Sequence, residues 1–214
     1  MTKNIAFIPA KTSSLRVPKK NYKLLNDKML IDYTIQLAVE CDLIDEVVIS
    51  SNEKILSNIK SKKIKYHIRE GAEANPKISV IELLNLWKNN NSIEANNLIL
   101  LQPTHPFRKK FHLNDSISFF QDNYEFESLI TVTNRKIKHI NTDKSVVSLE
   151  FDVVQSNKFI NGQIYIFRLL KNREIIFGEN TFMYEIPDSE YNINIDEPHD
   201  FRLAELLAEN FTSN

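Results

Sequence analysis

Asn4-Ile5-Ala6-Phe7-Ile8-Pro9-Ala10-Lys11-Thr12-Ser13-Ser14-Leu15-Arg16-Val17-Pro18-Lys19-Lys20-Asn21 begins as an apolar run, Ile5 to Ile8, and breaks at Pro9 into a basic, hydroxyl-rich loop. A short continuous apolar run ended by proline suits a strand buried on both faces, which is the strand of a parallel sheet. The same rhythm repeats downstream. Val47-Val48-Ile49-Ser50, Ile64 to Ile68, Leu98 to Leu101, Ser128 to Thr133 and Gln163 to Phe167 read as strands. Between them, Leu30 to Leu43, Glu53 to Ile59, Ile78 to Trp87 and the stretch marked by Leu113, Ile117 and Phe120 carry apolar residues at helical spacing. Pro198 to Asn210 closes the chain as a helix, with Asp196 as its cap candidate. Alternating β and α elements predict an α/β fold, a mostly parallel sheet with helices on both faces. The rhythm fails between about Asn134 and Lys158, where β-prone pieces such as Val146 to Leu149 replace the expected helix. This stretch is read as an inserted hairpin or arm, and as the segment suited to self-association.

Composition narrows the function classes. The chain has 214 residues, and 27 bases against 28 acids give a net charge of -1. That balance supplies no electrostatic drive toward nucleic acid or an anionic membrane. The longest apolar runs are about five residues, far below the roughly 20 of a membrane span. Polar Met1-Thr2-Lys3-Asn4 leads straight into the first strand without a signal-peptide pattern, and one cysteine, Cys41, allows no internal disulfide. These features predict a soluble, cytoplasmic single domain over residues 1–214, with the arm at about 134–160. Glycine is scarce: 3 residues, Gly71, Gly162 and Gly178, where average usage gives about 15. Neither a G-x-G-x-x-G fingerprint nor a Walker A loop is available. The five histidines lack metal spacing and read as surface or satisfied turn residues.

Ligands of open α/β sheets bind at the carboxyl ends of strands, and four such ends carry unusual polar residues. The first loop holds four cations and three hydroxyls within Lys11 to Asn21, so Lys11, Arg16 and Lys20 can wrap polyphosphate. Its composition alone equally suits a solvated basic loop. Gln102-Pro103-Thr104-His105-Pro106-Phe107-Arg108 is a rigid turn from which Gln102 projects. Asn161-Gly162-Gln163-Ile164-Tyr165-Ile166-Phe167 enters a strand through Asn-Gly, by itself merely a turn. In Ile193-Asn194-Ile195-Asp196, the two polar side chains alternate on one face of a strand. Such a pair can hold Mg²⁺, or Asp196 can simply cap the last helix.

In this order and spacing, across essentially the whole chain, the segments resemble the CMP-sugar-acid synthetases, typified by acylneuraminate cytidylyltransferase. The family's Pro-Ala-Arg-Gly-Gly-Ser is Pro9 to Ser14 here, and its Arg-hydrophobic-Pro-x-Lys-Asn is Arg16 to Asn21. Its Leu-Leu-Gln-Pro-Thr-Ser-Pro-hydrophobic-Arg is Leu100 to Arg108, with His105 for Ser. The Gln-Pro-Thr-x-Pro form resembles the sialic, legionaminic and pseudaminic branch more than the Kdo branch. The resemblance implies a Rossmann-like nucleotidyltransferase fold, a homodimer through the arm, and Mg²⁺ with CTP as cosubstrate. The implied reaction is attack by the anomeric hydroxyl of an acidic nine-carbon (nonulosonic) sugar on the α-phosphate of CTP, releasing pyrophosphate. It assigns nucleotide contacts to Lys11, Ser13, Ser14, Arg16, Lys20, Asn21 and Arg69, the last near the base. Gln102, Asn161 and Tyr165 fall to the sugar, Asp196 and Asn194 to the metal, and Lys11, Lys20, Gln102 and Asp196 carry the catalysis. Five departures stand out. The family's loop arginine is Lys11, its loop glycines are Thr12 and Ser13, its Ser/Thr-Asp after the second strand is Ser51-Asn52, the first Asp of its metal pair is Asn194, and the arginine before Asn-Gly has no clear match. They leave three readings: an active cytidylyltransferase, a weakened or inactive nucleotide- or sugar-binding relative, and a nucleotidyltransferase for another NTP or acceptor.

Overall fold

The computed structural model describes residues 2–11, 14, 16–53, 57–138 and 154–211. Strand β1 (Asn4–Pro9) lies mid-sheet, and its side chains sort onto two faces. Ala6 and Ile8 join one buried cluster, Ile5 and Phe7 another. That two-sided burial follows from a run with no polar residue between Ile5 and Ile8. After β1 come a short 3-10 turn (Lys20–Tyr22), two-residue strands β2 (Leu24–Leu25) and β3 (Lys28–Met29), and helix α1 (Leu30–Glu40). Lys19 and Asn26 stand at φ 51° and 54° in these turns, left-handed backbone taken without glycine. Strand β4 (Glu46–Ser51) and strand β5 (Ile64–Ile68) follow, then helix α2 (Val80–Asn90) and strand β6 (Asn97–Leu100). Helix α3 (Lys110–Asp122) precedes strands β7 (Ser128–Lys138), β8 (Val154–Arg168) and β9 (Thr181–Glu185), and helix α4 (Pro198–Ala208) ends the fold.

The seven-stranded sheet has the order β5-β4-β1-β6-β8-β7-β9. β5, β4, β1 and β6 are mutually parallel, β8 runs antiparallel to both neighbours, and β9 lies parallel to β7. Helices α1 and α3 cover one face through Ile31, Ile35, Leu113, Ile117 and Phe120. Helix α2 covers the other with Leu83, Leu84 and Trp87, the Trp87 ring 4.9 Å from Phe7. A third cluster seats α4 (Phe201, Ala204, Ala208) on Leu25, Leu30 and Phe107. The α/β reading therefore holds.

Several sequence expectations need correction. The strand β9 and the β2–β3 pair are additional elements. Of the helix expected over Glu53 to Ile59, residues 54–56 lie outside the described residues, and Glu53 and Ser57 to Ile59 are not helical. In the expected arm, β7 and β8 pair as a long hairpin out to Lys138 opposite Val154, with a bulge between Ile130 and Val132. Val146 to Leu149 lie outside the described residues. Asp196 does not cap α4. Glu197 stands at the N-cap, and the Asp200 carboxylate accepts the backbone N–H groups of both Glu197 (2.7 Å) and Asp196 (2.9 Å). Asn194 and Asp196 share a face but lie on an irregular segment, tied by a bond from Ile195 N–H to the Thr104 carbonyl (2.8 Å). His105 is a buried turn histidine, its Nδ1 3.1 Å from Thr104 Oγ1, whereas His67 lies on β5 and fits neither a surface nor a turn position.

Candidate active site

The chain leaves β1 toward α1 on one face, while α2 enters β6 from the other. The β1–β6 boundary is therefore the point where the strand order reverses, and the crevice beyond the carboxyl ends of these strands is where such sheets take ligands. A cavity of about 450 Å³ lies there. Its polar wall contains Lys11, Ser14, Arg16, Lys20 and Asn21 from the loop after β1, and Gln102 from the loop after β6. Arg69, just beyond β5, and the Asn194–Asp196 segment complete it, while Ile78, Val80 and Leu83 at the start of α2 form an apolar side. Nine of the twelve residues singled out from sequence thus meet in one cavity. Ser13 lies outside the described residues. Asn161 and Tyr165 are not part of this wall.

Charge in the cavity is lopsided. Lys11, Arg16, Lys20 and Arg69 face a single lining carboxylate, Asp196, an arrangement that recruits a polyanion. Lys20 is mostly buried at 12% side-chain exposure, and it donates to the Ile195 carbonyl and pairs with Asp196 at 3.3 Å. Burial pulls its ammonium pKa below the ordinary lysine value against the opposing pull of Asp196. Arg16 bonds Glu197 at 2.8 Å and stands 3.9 Å from Asp196. Asn21 is buried, and its amide holds the Lys11 carbonyl at 2.9 Å, fixing the end of the loop nearest β1. Asn194 Nδ2 donates to Asp196 Oδ2 at 2.8 Å.

Arg69 is buried at the cavity edge. Its Nε donates to Ser50 Oγ (3.0 Å) and its Nη2 to the Ser50 carbonyl (2.9 Å). Burial lowers its pKa to about 10, so the guanidinium is still charged at neutral pH. Gln102 is placed from behind by Arg108. This fully buried guanidinium donates to the carbonyls of Gln102, His105 (2.6 Å) and Gln163, and to Thr34 Oγ1 (3.1 Å). Its bonds go to carbonyls and a hydroxyl rather than a carboxylate, and burial pulls its pKa down to about 9. Arg108 closes the Gln102-to-Arg108 turn in the sequence, where nothing local signals which carbonyls fold over it.

The Asn161 amide is committed within the β7–β8 hairpin. It accepts from Thr131 Oγ1 (2.6 Å) and donates to Thr133 Oγ1 (2.9 Å). Tyr165 is half-buried, with its ring 5.7 Å from Phe177. Lining residues with no site role from sequence include the α2 wall and Asn52, the latter noted only as a departure from the family motif. A signal was present for the former, because Ser79-x-x-Glu82 is a capping box, with Ser79 Oγ accepting from Glu82 N–H (3.2 Å) and Glu82 Oε2 from Ser79 N–H (2.9 Å). It marks a helix beginning at the cavity.

The Cytidylyltransferase family model matches residues 5–207. The chain belongs to this family. The chain is 29% identical over 219 residues to the N-acylneuraminate cytidylyltransferase of Escherichia coli, covering 95% of this chain and 51% of that one. It therefore spans about half the length of that relative. Against the CMP-N,N'-diacetyllegionaminic acid synthase of Legionella pneumophila it is 25% identical, with 96% of both chains covered. Among solved structures, CMP:2-keto-3-deoxy-manno-octonic acid synthetase complexed with CTP superposes with a TM-score of 0.70 at 15% identity, covering 98% of this chain and 100% of that one. That likeness shows the Rossmann-like nucleotidyltransferase fold. No helix among the described residues is long and apolar enough to cross a membrane.

Proposed function

We propose that this protein couples CTP to an acidic nine-carbon sugar, giving a CMP-sugar and pyrophosphate. The observation that carries the reading is the convergence of Lys11, Arg16, Lys20 and Gln102 on one cavity at the β1–β6 switch point. In this reaction the anomeric oxygen bonds to the α-phosphorus, the bridge to the β-phosphate breaks, and the hydroxyl proton is given up. Such a transfer needs alignment and charge neutralisation more than covalent help from the protein. Lys11, Arg16 and Lys20 balance the triphosphate, Ser14 and Asn21 hold it by hydrogen bonds, and Arg69 takes the nucleoside end. Gln102, held by Arg108, orients the sugar and phosphate, with Asn161 and Tyr165 proposed on the sugar side.

Mg²⁺ is proposed as cofactor, and the donor set accommodates it. Asp196 and the Asn194 amide oxygen are hard oxygen donors beside the cationic loop, and no cluster of three or more His, Cys, Asp or Glu exists among the described residues. A cation here relies on one carboxylate plus substrate phosphates, the ordinary Mg²⁺ arrangement. When bound it would neutralise phosphate charge. The proposed setting is cytoplasmic and the assembly a homodimer. Exposed Phe159 and Ile160 on the β8 side of the hairpin support the latter.

A second reading, a weakened nucleotide- or sugar-binding relative, is favoured by one observation: Asp196 is engaged by Lys20 and by the neutral Asn194. The deciding assay is pyrophosphate release with each NTP, a panel of sugar acids, and Mg²⁺ or Mn²⁺. Turnover with CTP and a nonulosonic acid supports the enzyme. Measurable CTP binding with no turnover in any combination selects the second reading, and turnover with a different NTP or acceptor reassigns the substrate.

A further inference from the structure

Behind the cavity wall, an unbroken chain of hydrogen bonds ends on Arg69. Asn90 Nδ2 donates to Glu73 Oε1 (3.0 Å), and Glu73 Oε2 meets His67 Nε2 (2.9 Å). His67 Nδ1 meets Ser50 Oγ (3.0 Å), and Ser50 Oγ takes the bond from Arg69 Nε (3.0 Å). Ser50, Arg69 and Glu73 are buried, and His67 is half-buried. The sheet explains the geometry. Ser50 and His67 are direct partners in the parallel pairing of β4 and β5. Arg69 follows two residues after His67 on the same side of the chain, so one serine hydroxyl reaches both.

Counting hydrogens sets the directions for a neutral His67, the form that burial favours. The Glu73 carboxylate only accepts, so the ring proton sits on Nε2 and Nε2–H donates to Glu73. Nδ1 is then the acceptor and takes the Ser50 hydrogen, while Ser50 Oγ accepts from Arg69 Nε. A serine, histidine and glutamate in line invite comparison with a hydrolytic triad. Ser50 is fully buried at 0% exposure, however, and its oxygen is occupied by Arg69, so no substrate reaches it.

We propose that His67 and Glu73 are positioning residues that orient the Ser50 hydroxyl and, through it, present the Arg69 guanidinium to the nucleotide. The inference rests on reading the cavity as the nucleotide site. Two of the three Arg69 nitrogens are committed to Ser50, which leaves Nη1 as the donor without a partner among the described residues. Removing His67 takes away the acceptor that holds the Ser50 hydrogen. The hydroxyl is then free to rotate, and Arg69 loses one of its two fixed bonds. Neither His67 nor Glu73 lines the cavity, so both act on affinity through Arg69 alone.

The test uses the full chain, with CTP affinity by calorimetry and KM and kcat by pyrophosphate release. His67→Phe, Glu73→Ala and Ser50→Ala are each expected to raise the Kd and KM for CTP about threefold to tenfold, the worth of one hydrogen bond, with kcat within about twofold. Combining His67→Phe with Ser50→Ala is expected to add nothing beyond the larger single effect, because both cut the same path. Glu73→Gln keeps an oxygen for Nε2–H and is expected to bind CTP like the parent chain. Unchanged CTP affinity in folded His67→Phe, Glu73→Ala and Ser50→Ala overturns the proposal, as do fully additive effects or a loss in kcat alone. If the unsubstituted chain itself does not bind CTP, the nucleotide reading falls and takes the proposal with it. Binding by the parent that is unaltered in the variants overturns the proposal alone.

Discussion

Burial, with Arg108 close by, pulls the His105 pKa down to about 3. In an unfolded chain the same imidazole takes its proton near 6.5. Between these values the unfolded state binds more protons than the native one, so stability falls as pH falls below about 6.5 and levels off only near 3. By about pH 5 this one group costs about 2 kcal/mol relative to neutral pH. His105→Ser is expected to be less acid-sensitive by that amount, read from denaturant midpoints of the two proteins at both pH values. The proposed metal role of Asp196 and Asn194 carries a different expectation. Asp196→Ala is expected to lower kcat/KM by about a hundredfold or more. Asn194→Asp sets a second carboxylate beside Asp196 and is expected to lower the Mg²⁺ concentration giving half-maximal rate. Parent-like kinetics for Asp196→Ala would remove it from the metal site. At this scale the sequence was informative where chemistry is local. Four cations crowded after β1, and Gln102 between a strand and two prolines, are visible in the chain. His67, Glu73 and Ser50 were invisible because β5 and β4 are brought together only by the sheet.

Among elements, the contact between the β6–α3 loop and β8 is the tightest test of packing. Gly162 sits at φ +71°, and a methyl group built there would lie 2.8 Å from His105 Cε1. Gly162→Ala therefore pays left-handed backbone strain of about 1–2 kcal/mol and an overlap besides. The double variant Gly162→Ala/His105→Ser is expected to recover the overlap and keep the strain, which urea midpoints of the three proteins resolve. A double variant no more stable than Gly162→Ala would show that His105 yields freely. The scarcity of glycine is thus met differently at different places. Lys19 accepts positive φ in the loop after β1, while Gly162 stands where a side chain also has no room. The parallel half of the sheet was legible because its strands are uninterrupted apolar runs. Strand β9 was not, since Thr181–Glu185 is short, half-exposed and lies at the sheet edge. Asp196 also misled as a cap, because Glu197 and Asp200 one turn later supply the same chemistry.

For the whole molecule, the long β7–β8 hairpin predicts association. If it forms the proposed dimer, the double substitution Phe159→Ser/Ile160→Ser is expected to shift the protein from dimer to monomer in light scattering. An unchanged mass would place the interface elsewhere. Arg108 has a different kind of reach. It joins the loop of Gln102 and His105 to β8 through Gln163 and to α1 through Thr34, all from a fully buried position. No one of these segments can peel away without stranding the charge among unpaired carbonyls. The usual expectation for a ligand-binding loop is local opening at little cost. Here the amide protons of Leu101, bonded to the Phe7 carbonyl (3.0 Å), and of His105, bonded to the Gln102 carbonyl (3.3 Å), should trade for deuterium only when the entire domain unfolds. The loop that lines the cavity would then keep time with the core.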